Sequence, residues 1–177
     1  VSLISVYLLY TTPVDKGDYM IIYNNHKNPL LHIVYENGTN YLVSTVPQLD
    51  AEYEYVSKPL LQHESLNASQ WVSWEYSDSL VQCNEGRFLF NGLVVKMLDN
   101  VYWRENEYIE PVDILVLCRG FLGRIDELVE VYPAACVVVD GSLYKHSRNR
   151  IKREYARLGI NVVDVTQTGA IKVVADA

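Results

Sequence analysis

Asp113-Ile-Leu-Val-Leu-Cys118, Ala135-Cys-Val-Val-Val-Asp140, Asn161-Val-Val-Asp-Val165 and Ala170-Ile-Lys-Val-Val174 are near-continuous apolar runs in the last third of the chain, Val112 to Val174. Strands covered on both faces read this way, and the segments between the first three runs carry a helical period instead. In the first segment Phe121, Ile125, Leu128 and Tyr132 fall on one stripe, which Pro133 ends. In the second, Ile151, Tyr155 and Leu158 repeat the stripe, and Gly159 stands where a left-handed C-terminal cap belongs. Strand, helix, strand, helix, strand is the pattern of a sheet with helical crossovers. The last two runs are separated only by Thr166-Gln-Thr-Gly169, too short for a crossover, so a hairpin is expected there. Loops after the strands of such a unit are where α/β sites sit.

Upstream, residues 1–100 read as strands and hairpins. Val1–Tyr10 and Tyr19–Tyr23 mix β-branched and aromatic residues, and Asn24–Pro29 is a polar turn. Asn37-Gly38 lies between Leu30–Tyr35 and Tyr41–Ser44, and Asn91-Gly92 between Arg87–Phe90 and Leu93–Leu98. Asn-Gly between apolar runs marks a hairpin, because both residues tolerate positive φ. Glu52–Leu61 allows a short helix broken at or before Pro59. Trp71 and Trp74, three apart at helical spacing, are expected to anchor a core or an edge. The whole, residues 1–177, is expected to be one domain.

The 177 residues are 49% hydrophobic and 21% charged, enough apolar material for one real core. A net charge of −7 argues against general nucleic-acid binding, which needs positive surface at least locally. Cys83, Cys118 and Cys136 form no CxxC; Cys118 and Cys136 lie in apolar runs and are expected to be buried thiols, while a disulfide at Cys83 stays open. Val1–Tyr10 is far shorter than the roughly 20 residues of a membrane span, and no signal peptide is visible. The chain starts without Met and is expected to be part of a longer protein.

Strong catalytic signatures are missing: there is no HxH, HExxH, GxSxG, P-loop or GxGxxG. His26, His32, His63 and His146 are scattered; His32 is expected half-exposed in a strand and His63 on the surface. Lys145, Arg148, Arg150, Lys152, Arg153 and Arg157 lie on or beside one helix. They can form an anion or DNA-guiding patch over 148–157, or a solvated face opposite the apolar stripe. The solvated face is favoured, since no aromatics are interleaved with the cations.

From Phe90 to Val174 the chain resembles the C-terminal metallo-β-lactamase-like domain of ComEC-type competence proteins, polytopic channels for DNA uptake, and fits their Bacteroidetes-like branch best. The stretches that carry it are Lys96-Met-Leu-Asp99, Val112-Asp-Ile-Leu-Val-Leu-Cys-Arg-Gly-Phe121 and Pro133-Ala-Ala-Cys-Val-Val-Val-Asp140. Tyr144-Lys-His-Ser147, Leu158-Gly-Ile160 and Thr166-Gln-Thr-Gly-Ala-Ile171 continue it. Met20–Asn25 to Tyr41–Ser44 matches the family's opening strands more loosely. The resemblance implies an α/β, mixed α+β fold: a metallo-β-lactamase-like β-sandwich with flanking helices. It also implies a membrane-embedded remainder of the same polypeptide as partner, single-stranded DNA as a further one, and a membrane-associated place on the extracytoplasmic side of the bacterial inner membrane.

Departures from the family pattern bear on the chemistry. A two-metal hydrolase of this fold needs a His and Asp cluster to activate a bridging water. Between Ser44 and Gly86 only His63 is present, and Ser44 stands at the family's opening Asp. Cys118-Arg119-Gly120-Phe121 stands where metal-binding members carry HHGS. Asp99 and His146 keep the places of a bridging aspartate and a late histidine. Asp99, Cys118, Asp140 and His146 are therefore candidates for a vestigial site, with no metal and no cofactor expected. The alternative is a nuclease holding zinc or manganese through that atypical set. The expected role is a non-catalytic structural or interaction domain.

Overall fold

The computed structural model describes residues 4–8, 17–45, 51–105 and 107–175. In chain order the strands are β1 (Ile4–Leu8), β2 (Tyr19–Ile22), β3 (Leu30–Val34), β4 (Asn40–Ser44), β5 (Gln70–Val72), β6 (Gln82–Asn84), β7 (Arg87–Phe90), β8 (Leu93–Leu98), β9 (Val112–Leu117), β10 (Ala134–Val139), β11 (Val162–Asp164) and β12 (Ile171–Ala175). The helices are α1 (Ala51–His63), α2 (Ile125–Val131), α3 (Lys145–Arg157) and α4 (Val165–Thr168). Two six-stranded sheets result, ordered β1-β12-β2-β3-β4-β5 and β11-β10-β9-β8-β7-β6.

Alternation along the strands builds three apolar layers. Met20, Ile22, Leu31, Ile33, Ile171 and Val173 of the first sheet meet Phe88, Phe90, Val95, Met97, Ile114 and Val116 of the second in a shared core. The opposite face of the second sheet, with Leu115, Leu117, Val137 and Val139, is covered by α2 and α3 through Ile125, Leu128, Ile151 and Tyr155. Tyr19, Ile21, Leu30 and Val34 on the outer face of the first sheet pack with Val56 and Leu60 of α1. This is the expected α+β sandwich with flanking helices.

Both Asn-Gly hairpins form, by different turns. Asn91 and Gly92 both have positive φ, 45° and 80°, and join paired Phe90 and Leu93. At the first hairpin only Gly38 of the pair has positive φ, 83°, and Tyr35 N–H donates to Thr39 O across a longer loop. The crossover stripe Phe121, Ile125, Leu128, Tyr132 is buried throughout. Gly159 (φ 73°) caps α3, with its own N–H on Ala156 O and that of Ile160 on Tyr155 O.

Several expectations are corrected. The last two runs are not a hairpin: β11 pairs parallel with β10 in the second sheet, while β12 pairs with β1 and β2 in the first. Asp164 caps α4, accepting from Thr166 N–H at 3.0 Å, and that single turn carries the chain between sheets. Helix α1 runs through Pro59, which costs one backbone bond while Val56 and Leu60 keep the helix on the sheet. Leu158 is 46% exposed, past the end of the stripe. His32 is fully buried, among Tyr23, Asn40 and Ser69, and Trp71 and Trp74 do anchor apolar layers, but from a strand and a turn rather than at helical spacing, and on different layers. All three cysteines are free; Cys83 and Cys118 are buried and Cys136 is partly so. Val1–Leu3 and Leu9–Tyr10 of the expected first strand lie outside the described residues.

Candidate functional site

Strands β8, β9 and β10 are parallel and end in register, Leu98 beside Leu117 and Leu117 beside Val139. The residue after each strand therefore falls in one row: Asp99, Cys118, Asp140. Backbone bonds extend the ladder through it, from Cys118 N–H to Leu98 O at 2.9 Å and from Asp140 N–H to Leu117 O at 3.0 Å. Gly120 (φ 99°) folds back over the Asp99 carbonyl so closely that a Cβ would lie 2.0 Å from that oxygen. Only glycine fits there.

The row is a poor donor set for a metal. Cys118 has no exposed surface, and burial, then the nearby Asp140 and Asp99 charges, pushes its thiol well above the usual range. Its sulfur faces Val116 O at 3.8 Å, as a neutral thiol does. Asp140 is also fully buried; burial lifts its pKa to about 6 against the hydrogen bonds from Ser142. Its Oδ2 accepts from the Ser142 N–H at 2.9 Å and from the Ser142 hydroxyl. Oδ1 has no hydrogen-bond partner, and neither do Asn24 Oδ1 and Asn25 Nδ2, which belong to residues packed against Gly141. Asp99 accepts from Asn100 at 2.8 Å. Ser44 is buried and donates to Pro29 O at 3.2 Å.

His146 stands apart from the row. It is exposed on the first turn of α3, its ring stacked on Tyr144 with centroids 5.8 Å apart and planes 8° from parallel. Arg119 turns outward to the same place, its guanidinium carbon 5.1 Å from the Tyr144 ring centroid and its Nη2 donating to the Tyr144 hydroxyl at 2.8 Å. Among the described residues no three His, Cys, Asp or Glu side chains gather as a metal would need. The residues present do not fit a two-metal centre.

The basic helix is largely engaged within the domain. Arg148 donates to Leu143 O, Arg150 pairs with Glu154 at 3.1 Å and also reaches Gly123 O, and Lys152 pairs with Asp164 at 2.7 Å. Arg153 donates to Asn149 O at 3.2 Å, and Lys145 is exposed. From the sequence Tyr144 and the Asn24-Asn25 turn stand out only as parts of a family-like stretch and of a polar turn, not as site residues, and Ser142 does not stand out at all. Arg119 and Tyr144 are 25 residues apart, and only the parallel register of β9 and β10 brings them together.

A family model described as the ComEC C-terminal domain matches residues 20–175. No curated protein matches the chain.

Proposed function

The chain belongs to the ComEC C-terminal domain family, and from that premise we propose that it serves a DNA-uptake machine as a non-catalytic domain whose ancestral metal site has been filled. The observation that carries this reading is Cys118. In the middle of the row, where metal-binding relatives would present a ligand, it offers a buried neutral thiol, and the next residue, Arg119, carries a positive charge away from it toward Tyr144. A divalent ion needs anionic or lone-pair donors converging on one point. Here Asp99 and one oxygen of Asp140 are taken up by neighbouring side chains, and His146 stacks on the surface.

Among the described residues no helix is long and apolar enough to cross a membrane. Attachment is accordingly proposed to come from the remainder of a parent polypeptide, with this domain on the extracytoplasmic side of the inner membrane. Its work there would be structural or as an interaction module.

The test is metal analysis of the purified chain after saturation with zinc or manganese, joined to a single-strand cleavage assay. Substoichiometric metal and no cleavage are expected. Stoichiometric metal, with cleavage abolished by Asp99→Ala, would overturn the reading in favour of a nuclease with an atypical ligand set.

A further inference from the structure

A cleft of about 720 Å³ opens between the turns flanking β6 and the stretch that links β8 to β9. Glu75 and Glu85 reach its wall from the turns, Glu105 and Glu110 from the linking stretch, and Lys96 is the one cation that lines it. Glu110 pairs with Arg87 at 3.0 Å, but Glu75, Glu85 and Glu105 have no cationic partner among the described residues. Tyr102, 69% exposed, stands in the same wall. We propose that this cleft binds an arginine-bearing peptide segment of a protein partner, an inference that rests on the interaction-module reading above and names the partner's chemistry.

The groups in the wall narrow the ligand. A divalent ion does not fit, because among the described residues no three His, Cys, Asp or Glu side chains gather closely enough to hold one. Nucleic acid and anionic lipid carry the wrong sign for a wall of carboxylates. An organic cation has the right one, and the volume lies within the roughly 300–1,000 Å³ of ligand clefts. Lys96 then separates a peptide from a polyamine. It is 8% exposed, lies 5.7 Å from the Tyr132 ring centroid and donates once, to Glu85 O at 3.2 Å. An ammonium carries three donors, so two are left without an acceptor among the described residues. The indole N–H of Trp74, a residue of the same wall, also has no acceptor. A peptide brings carbonyl oxygens to such donors, whereas a polyamine has none. Arginine suits the cleft better than lysine, because its planar guanidinium takes a carboxylate through two parallel bonds and stacks on a ring.

Fluorescence anisotropy of the purified chain tests this with a short labelled peptide of alternating arginine and glycine, capped at both ends. The same peptide with lysine, and spermine as a competitor, are the comparisons. The arginine peptide is expected to bind most tightly, and more weakly as salt rises. Glu85→Gln combined with Glu105→Gln should weaken it about 3- to 30-fold, the effect of two surface ion pairs. Glu36→Gln combined with Glu130→Gln removes the same charge outside the cleft and should leave binding nearly unchanged. Tyr102→Ala should narrow the preference for arginine over lysine, and Tyr102→Phe should keep it. Melting curves check that each variant is folded. No peptide binding, equal losses in the cleft and control pairs, or no preference for arginine overturns the proposal. Spermine binding as tightly as the peptide overturns it too, in favour of a polyamine site. Metal content and strand cleavage report on the non-catalytic reading separately, so either proposal can fail alone.

Discussion

Asp140 has no exposed surface and one carboxylate oxygen without a partner, and burial lifts its pKa to about 6. Its ionised form is the disfavoured one, so the stability this group contributes is full below the unfolded value near 4 and is lost as pH rises through 6. His32 works in the opposite sense. Asn40 gives its amide hydrogens to Gly38 O and Asn67 O, which turns its Oδ1 toward His32 Nε2 at 3.0 Å and makes that nitrogen the donor. The Tyr23 hydroxyl then donates to Nδ1 at 3.0 Å, and burial lowers the ring's pKa to about 4. Stability from neutral His32 is full above the unfolded value of 6.5 and is lost as pH falls toward 4. Each effect is on the order of 3 kcal/mol at most, and between about pH 4 and 6 they oppose one another. Asp140→Asn keeps an acceptor for Ser142 and removes the charge. Urea denaturation should find it more stable than the parent at pH 7.5, with the advantage shrinking toward pH 4.5 as Asp140 of the parent takes up its proton; His32, present in both, drops out of the comparison. Parallel pH profiles for parent and variant would show that Asp140 is ionised at no cost. The row itself was legible in the sequence, because Asp99, Cys118 and Asp140 each close an apolar run. The burial of His32 was not, since strand alternation does not reveal that a helix covers the outer face.

Asp164 shows how one side chain directs a whole element. It ends β11, caps α4 through Thr166 N–H at 3.0 Å and Thr166 Oγ1 at 2.6 Å, and accepts Lys152 of α3 at 2.7 Å. These bonds stabilise its charged form and hold its carboxyl below the usual range, despite burial. Asp164→Ala removes the cap and leaves Lys152, one-quarter exposed, without its partner. A loss of about 2 kcal/mol is expected, about half from the cap, whereas Lys152→Met, which keeps the cap, should lose about 1 kcal/mol or less. Chemical denaturation of the two variants measures both; equal losses would mean that the cap contributes nothing. The crossing was hidden in the sequence because Thr166–Gly169 has both the length and the composition of a hairpin loop. What settles it is tertiary: Val165 is drawn into the core between the sheets, so the turn becomes a helical step. The crossover helices were easier to read, because a stripe such as Ile125, Leu128 and Tyr132 has a period no strand shares.

At the scale of the whole molecule the sheets are interlocked. The chain leaves the second sheet at β11 and enters the first at β12, where Ile171 and Val173 stand in the shared core between β1 and β2. Losing the first sheet would strip Met20, Ile22, Leu31, Ile33, Val43, Ile171 and Val173 from that core. At about 1.5–3 kcal/mol for each buried side chain, this is comparable to the entire stability of about 5–15 kcal/mol expected of a domain. Neither half should therefore survive alone, and unfolding should be a single transition. The three tryptophans are placed to test this. Trp71 packs on the outer layer under α1, Trp74 meets Phe88 edge-on at 6.5 Å in the shared core, and Trp103 is buried beside Phe121 under α2. In variants that keep one tryptophan and carry phenylalanine at the other two positions, each fluorescence midpoint in urea should coincide with that variant's own midpoint by circular dichroism. A Trp71 signal that is lost at lower urea than its dichroism would show instead that α1 peels from the first sheet before the sandwich opens.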